Sequence, residues 1–327
     1  MQDKAARIRT GVWPASAGAK VRKDTRCHID FEHLLSLESK AKSLTFLPRQ
    51  PARSALNGRH ASRLRGRGLN FEELRDYLPS DDVRSIDWKV TARTGKPYVR
   101  VFTEERDRPV LIVVDQRMSM FFGSKLNMKS VTAAECAALA AFRILDQGDR
   151  VGGIVFGDNI IAEVRPQRSR GALNRFLTAL ADANNLLQAD APNVDPVSIN
   201  QVLHAVARIA PRNHLLIILS DFSKIDGKTR KIVSGLSKHN DVVLGLVTDP
   251  YAKDLPKGAS LVVSDGSLQV AIDMGDQKTH QKLSEMASDR LVEILDWQRK
   301  TGVPVLPLSS AEDSLTQMRR LMGLRPR

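Results

Sequence analysis

Cysteine is almost missing from this chain of 327 residues: Cys27 sits in a basic stretch and Cys136 in an alanine-rich run, with no Cys-x-x-Cys spacing. That excludes a disulfide framework and the usual zinc-ligand spacings. Long apolar runs are missing too. Runs such as Val110–Val114 and Leu215–Leu219 fall far short of the roughly 18 residues that a membrane-crossing helix needs. Residues 1–20 mix Asp3, Lys4, Arg7 and Arg9 with small side chains, where a secretion signal requires an apolar stretch. The expected location is the cytoplasm. Signatures of chemistry are equally sparse: there is no HExxH, GxSxG or GxxxxGKS/T, and the seven histidines are scattered. The sequence therefore reads as that of a binding protein, not an enzyme.

Positive charge is plentiful and uneven. Residues 1–70 hold fifteen Lys/Arg against five Asp/Glu, so they carry +10 of the net charge of +13. Such an arm suits nucleic acid, acidic lipid headgroups or an acidic protein. Aromatic residues make up 5% of the chain and do not alternate with these charges as base-stacking platforms do. The arm, residues 1–26, thus reads as a solvated leader without a fold of its own.

Asp30 is a candidate N-cap for a helix in which Phe31, Leu34, Leu35, Leu37, Ala41 and Leu44 share a side, ending before Pro48. The helical segment spans residues 27–48. Residues 49–107 hold short strand-like runs such as Tyr98–Phe102 between Gly58, Gly66, Gly68, Gly95 and Pro97, predicting a small β-rich lead-in. Gly66 and Gly68 read as a turn, because a dinucleotide fingerprint needs a third glycine and a following helix. From residue 108 to 323, apolar strands alternate with helices. Strands are predicted at Val110–Val114, Val151–Phe156, Ile160–Val164, His214–Leu219, Val242–Val247 and Val303–Leu308. Helices are predicted at about Met128–Leu145, Leu173–Leu187, Ile199–Ile209, Lys228–Ser237, Gln277–Lys300 and Ala311–Met322, with a hairpin inserted near 258–273. This alternation predicts an α/β fold, a mostly parallel sheet with helices on both faces. Ligands of such sheets lie beyond the carboxyl ends of strands where the strand order reverses. Asp115 and Asp221 each end an apolar strand, and two carboxylates brought together there need a cation between them.

The stretch Gly66–Trp88 (GRGLNFEELRDYLPSDDVRSIDW), followed by Thr91–Thr94 (TART) and Tyr98–Arg100 (YVR), closely resembles the signature of domain-of-unknown-function family 58. Asp115–Met120, Phe122–Ser124, Gly148–Gly152 and Ser220–Phe222 follow in the same order, so the resemblance runs over residues 56–323. It implies a von Willebrand factor A-like, Rossmann-like domain. Members are commonly encoded beside MoxR-type AAA+ ATPases, which implies a chaperone-like adaptor for such an ATPase.

Domains of that type often bind Mg²⁺ or Mn²⁺ through Asp-x-Ser-x-Ser, a threonine and a later Asp, a hard-oxygen set. Here Asp115, Ser119 and Asp221 match, Arg117 stands where the first serine belongs, and the threonine neighbourhood offers Val197 and Ser198. Asp115, Arg117, Ser119 and Asp221 are the expected partner-binding residues of a degenerate metal-ion-dependent adhesion site. No cofactor is expected. Were Mg²⁺ bound, Asp115, Ser119 and Asp221, with Ser198 a weak fourth, would hold it. Two orientations of Arg117 stay open: inward, paired with Asp115 or Asp221 in place of a metal, or outward, with the carboxylates structural. Two alternative functions also stay open, a divalent-metal-dependent hydrolase using Asp115 and Asp221, and nucleic-acid binding through the arm. In the lead-in, Arg65, Arg67, Arg75, Arg84, Arg93 and Arg100 interleave with Glu72, Glu73, Asp76, Asp81, Asp82 and Asp87 as an ion-pair lattice or a docking surface. Tyr77 and Trp88 are expected to pack as anchors.

Overall fold

The computed structural model describes residues 24–44, 69–104, 109–188, 196–250, 260–264, 269–273 and 292–321, apart from residues 80, 159 and 295. The basic arm up to residue 23, Gly66, Gly68 and the first part of the helix expected at Gln277–Lys300 lie outside these residues. The chain divides into two compact units, one of Met1–Phe46 with Arg108–Arg327 and one of Leu47–Asp107.

The larger unit is built on a six-stranded sheet. Its strands are β3 (Val110–Asp115), β4 (Val151–Phe156), β5 (Ile160–Gln167), β6 (Leu215–Ser220), β7 (Asp241–Thr248) and β10 (Val305–Ser309), in the spatial order β10-β7-β6-β3-β4-β5. All neighbours run parallel except β5, which returns antiparallel to β4 after a short turn. This is the doubly wound, Rossmann-like order, and it reverses between β3 and β6. The apolar runs form buried strands because both faces are covered: every residue of β3 and β4 is buried. Along β3, Val110, Ile112 and Val114 join one apolar cluster, while Leu111 and Val113 join the other, as the two-residue period of a strand dictates.

The first face carries α1 (Phe31–Ala41), α3 (Lys129–Asp146), α4 (Arg170–Asn185) and α7 (Ser314–Leu321). Alanines from Ala133 to Ala141 let α3 lie buried over most of its length. Asp30 caps α1 by accepting from the His33 N–H at 2.7 Å, and Ile29, Leu34, Leu37, Ala41 and Leu44 are buried in the same cluster. Each large apolar side chain buried there stabilises by about 1.5–3 kcal/mol. The second face carries α5 (Ile199–Ile209), α6 (Gly227–Ser237) and helical residues within 292–301, where Ile294 and Trp297 are buried. Ser198 and Asp226 begin α5 and α6 with reciprocal capping boxes. Residues 260–264 and 269–273 pair as the hairpin β8 (Ser260–Ser264) and β9 (Gln269–Asp273).

The smaller unit contains the antiparallel pair β1 (Leu69–Asp76) and β2 (Tyr98–Glu104), a 3-10 turn at Val83–Ser85 and α2 (Trp88–Thr94), which ends at Gly95 with φ +75°. Of the charged set expected to form a lattice, Arg75 and Asp81 make a two-pronged pair at 2.7 and 2.8 Å. Asp82 and Asp87 cap the 3-10 turn and α2. The packing expected of Trp88 is not observed: at the first position of α2, directly after its cap, the residue is 63% exposed.

Candidate functional site

The reversal of strand order brings Asp115, at the end of β3, beside Ser220 and Asp221, at the end of β6. Asp115 is fully buried. Its Oδ1 accepts from the Arg117 backbone N–H and Nε, both at 3.0 Å, and its Oδ2 from Arg117 Nη2 at 2.7 Å and the Ser220 hydroxyl at 2.6 Å. Arg117 therefore folds back inward, as one of the two orientations read from the sequence has it, and its guanidinium stands 5.5 Å from the centre of the Phe156 ring. Burial disfavours the charged guanidinium, but the Asp115 charge and hydrogen bonds outweigh it and keep the arginine above its ordinary pKa.

Asp221 is held by a second set of donors. Its Oδ1 accepts from the Ser223 N–H at 2.9 Å and the Ser119 hydroxyl at 3.3 Å, its Oδ2 from Lys129 Nζ at 2.8 Å. Burial opposes ionisation of this carboxyl, yet the charge and hydrogen bond of Lys129, with Arg117 and the Ser223 N–H, hold it below the ordinary carboxylate value. The turn that aims Asp221 is tight: Phe222, buried, takes φ +51°, and its N–H donates to the Ser220 hydroxyl at 2.8 Å. A left-handed bulky residue is strained by roughly 1–2 kcal/mol, and such strain concentrates at functional sites.

Two further carboxylates complete the carboxyl edge. Asp158, two residues beyond β4, lies within electrostatic reach of Arg117 and Asp115. Asp249, directly after β7 and buried, accepts from the Ser124 N–H and the Ser310 hydroxyl. These bonds anchor the loop from Phe121 to Met128, in which a Cβ on Gly123 would lie 2.1 Å from the Asn127 carbonyl oxygen, so only glycine fits. Four neighbouring strands, β7, β6, β3 and β4, thus each deliver an aspartate to one edge.

Of the residues singled out by sequence, Asp115, Arg117, Ser119 and Asp221 come together, and Ser198 does not join them, being spent as the exposed cap of α5. Among the four, Ser119 is exposed, whereas Arg117 is only 3% exposed, so its guanidinium does not reach the surface. Lys129, Ser220, Asp158 and Asp249 were not legible as partners. Lys129 had a signal: it is the first residue of α3, where the helix dipole disfavours a cation, so a local anion is required.

The donor set does not fit a Mg²⁺ or Mn²⁺ ion. Each oxygen of Asp115 and Asp221 already accepts a protein hydrogen bond, and the positive charge between them belongs to Arg117 and Lys129.

Comparison with known proteins places the chain in a family. Uncharacterized protein Mb1516 of Mycobacterium bovis and Uncharacterized protein Rv1480 of Mycobacterium tuberculosis are each 27% identical to the chain over 292 residues, covering 89% of it and 90% of each relative. The model of the family described as Protein of unknown function DUF58 matches residues 73–292, and the chain belongs to that family.

Proposed function

We propose that the chain is a non-catalytic, protein-binding adaptor for a MoxR-type AAA+ ATPase. In this reading it meets partners at the carboxyl edge of the sheet, a degenerate metal-ion-dependent adhesion site of the von Willebrand factor A-like kind. The observation that carries the proposal is the buried, two-pronged Arg117–Asp115 pair at the strand-order reversal. It supplies from within the chain the positive charge that two converging carboxylates need. Freeing either carboxylate to bind a metal or take a proton means breaking a buried charge pair, at about 3–5 kcal/mol. A rim fixed in this way suits recognition of a complementary surface better than hydrolysis. Ser119 is the member that a partner touches, while Asp115, Arg117 and Asp221 hold it in place from beneath.

Affinity capture with the full-length chain, with and without ATP, is expected to retain a MoxR-type ATPase. Ser119→Arg should weaken that capture at least about ten-fold while leaving the melting temperature unchanged. Undiminished capture by this variant would move the interaction to another surface. Micromolar Mg²⁺ binding in titration calorimetry, abolished by Asp115→Ala, would overturn the metal-free site.

A further inference from the structure

The sheet has a second edge, at the amino ends of its parallel strands, and there two hollows meet. One, of about 440 Å³, is lined by Arg230, Lys231 and Lys238 of α6 and its C-cap, by Lys300 and by the hydroxyl residues Ser234 and Thr301. The other, of about 320 Å³, lies between the ends of α5 and α6, where Ala207, Pro211, Ile232 and Leu236 form apolar walls. Gly235 lines both. A Cβ at this position in the last turn of α6 would meet nothing within 4 Å, so the protein's own packing does not require glycine, and its bare backbone leaves the space between the hollows open. The result is one groove, basic at one end and apolar at the other.

The groove is preformed. Asn240, buried at its floor, donates from Nδ2 to the carbonyls of Ala210 at 3.1 Å and Leu236 at 3.3 Å and accepts from the His214 N–H at 2.9 Å. Those bonds lock the ends of α5, α6 and β6 together. Its charge is unbalanced: Lys300 pairs with Asp296 at 2.5 Å, whereas Arg230, Lys231 and Lys238 have no acidic partner among the described residues. Cations gathered around one hollow repel one another, and an anion entering it relieves that repulsion.

We infer that this groove docks an acidic peptide segment of a protein partner, its carboxylates against Arg230, Lys231 and Lys238 and an apolar side chain between Ile232 and Leu236. A nucleic-acid strand would leave the apolar end unfilled, and among the described lining residues His239 alone offers a ring on which a base could stack, where strand-binding grooves use several. The docking mode is that of an amphipathic segment laid into a groove, with apolar anchors for affinity and charge for orientation. It does not depend on the adaptor reading of the opposite edge.

The test is selection from a phage-displayed peptide library on the immobilised full-length chain, followed by fluorescence anisotropy of the selected peptides. These are expected to carry several Asp or Glu beside a Leu, Ile or Phe. Their affinity should fall at least about ten-fold in the double variant Arg230→Glu/Lys231→Glu and again in Gly235→Leu, which fills the junction. It should also weaken as salt rises. Gly235→Leu improves helix propensity in open space, so its melting temperature should not drop and lost binding reports the groove itself. Failure to select any peptide, winners without acidic residues, or affinity unchanged in both variants would each overturn the inference. So would tighter binding, at equal salt, of a single-stranded oligonucleotide or of phosphatidylserine vesicles that the same substitutions weaken.

Discussion

Burial pushes the Asp158 carboxyl above its ordinary value of 3.8, the Arg117 charge offsetting this only in part and Asp115 adding to it. A carboxyl whose folded-state pKa is raised favours folding below its unfolded pKa, and that contribution is lost as pH rises through the folded value. At neutral pH the ionised Asp158 therefore weighs against the fold. Asp158→Asn is expected to raise the melting temperature near neutrality, with the gain shrinking to nothing as pH falls below 3.8; a lowered melting temperature at neutral pH would contradict this. The same residue marks what sequence reading missed. Asp115 and Asp221 stood out because each directly closes an apolar run, whereas Asp158 sits in a Gly-Asp-Asn turn that reads as ordinary hairpin chemistry. Ser220 was hidden for another reason: a hydrogen-bond partner from another strand leaves no mark in local spacing.

At the scale of elements, local signals were strong where burial and capping agree. The run Val110–Val114 is too short for a helix and too apolar for an exposed strand, and it became the central β3. Asp30, read as an N-cap, does cap α1. The smaller unit was harder to read, because the same aspartates that can pair with arginines can cap helices, and only geometry decides which they do. Capping also makes a prediction. Asp226 is held at about 2 by the Thr229 N–H, by Asn200 and by the Thr229 hydroxyl. A lowered folded-state pKa stabilises above the unfolded value of 3.8 and ceases to do so as pH falls through about 2. Asp226→Asn should therefore lower the melting temperature at neutral pH, and the gap from the parent protein should close across that window. A gap that does not change with pH would locate the effect in something other than the ionised cap.

For the molecule as a whole, the parallel sheet separates two kinds of surface: a ring of aspartates where the strands end and a basic, part-apolar groove where they begin. The two edges share no hydrogen-bond partner among the described residues, so their energetics should be independent. Arg117→Met is expected to destabilise by about 3–5 kcal/mol, because Asp115 is left buried without its counter-charge, whereas Gly235→Leu should be neutral or stabilising. In the double variant the two effects should add within about 0.5 kcal/mol in denaturant unfolding, and a larger discrepancy would mean that the edges communicate. No helix among the described residues is long and apolar enough to cross a membrane, in keeping with the short apolar runs of the sequence.

The segment ahead of α1 is stitched into the larger unit by amides. The Ile29 N–H donates to Asn184 Oδ1, Asn184 Nδ2 donates to Gln116 Oε1, and Gln116 stands between Asp115 and Arg117 in the chain. Peeling residue 29 away would leave the sequestered Asn184 carbonyl without its donor, so the leading strap should be tied to the larger unit, its Ile29 backbone proton exchanging with solvent far more slowly than those of a frayed end.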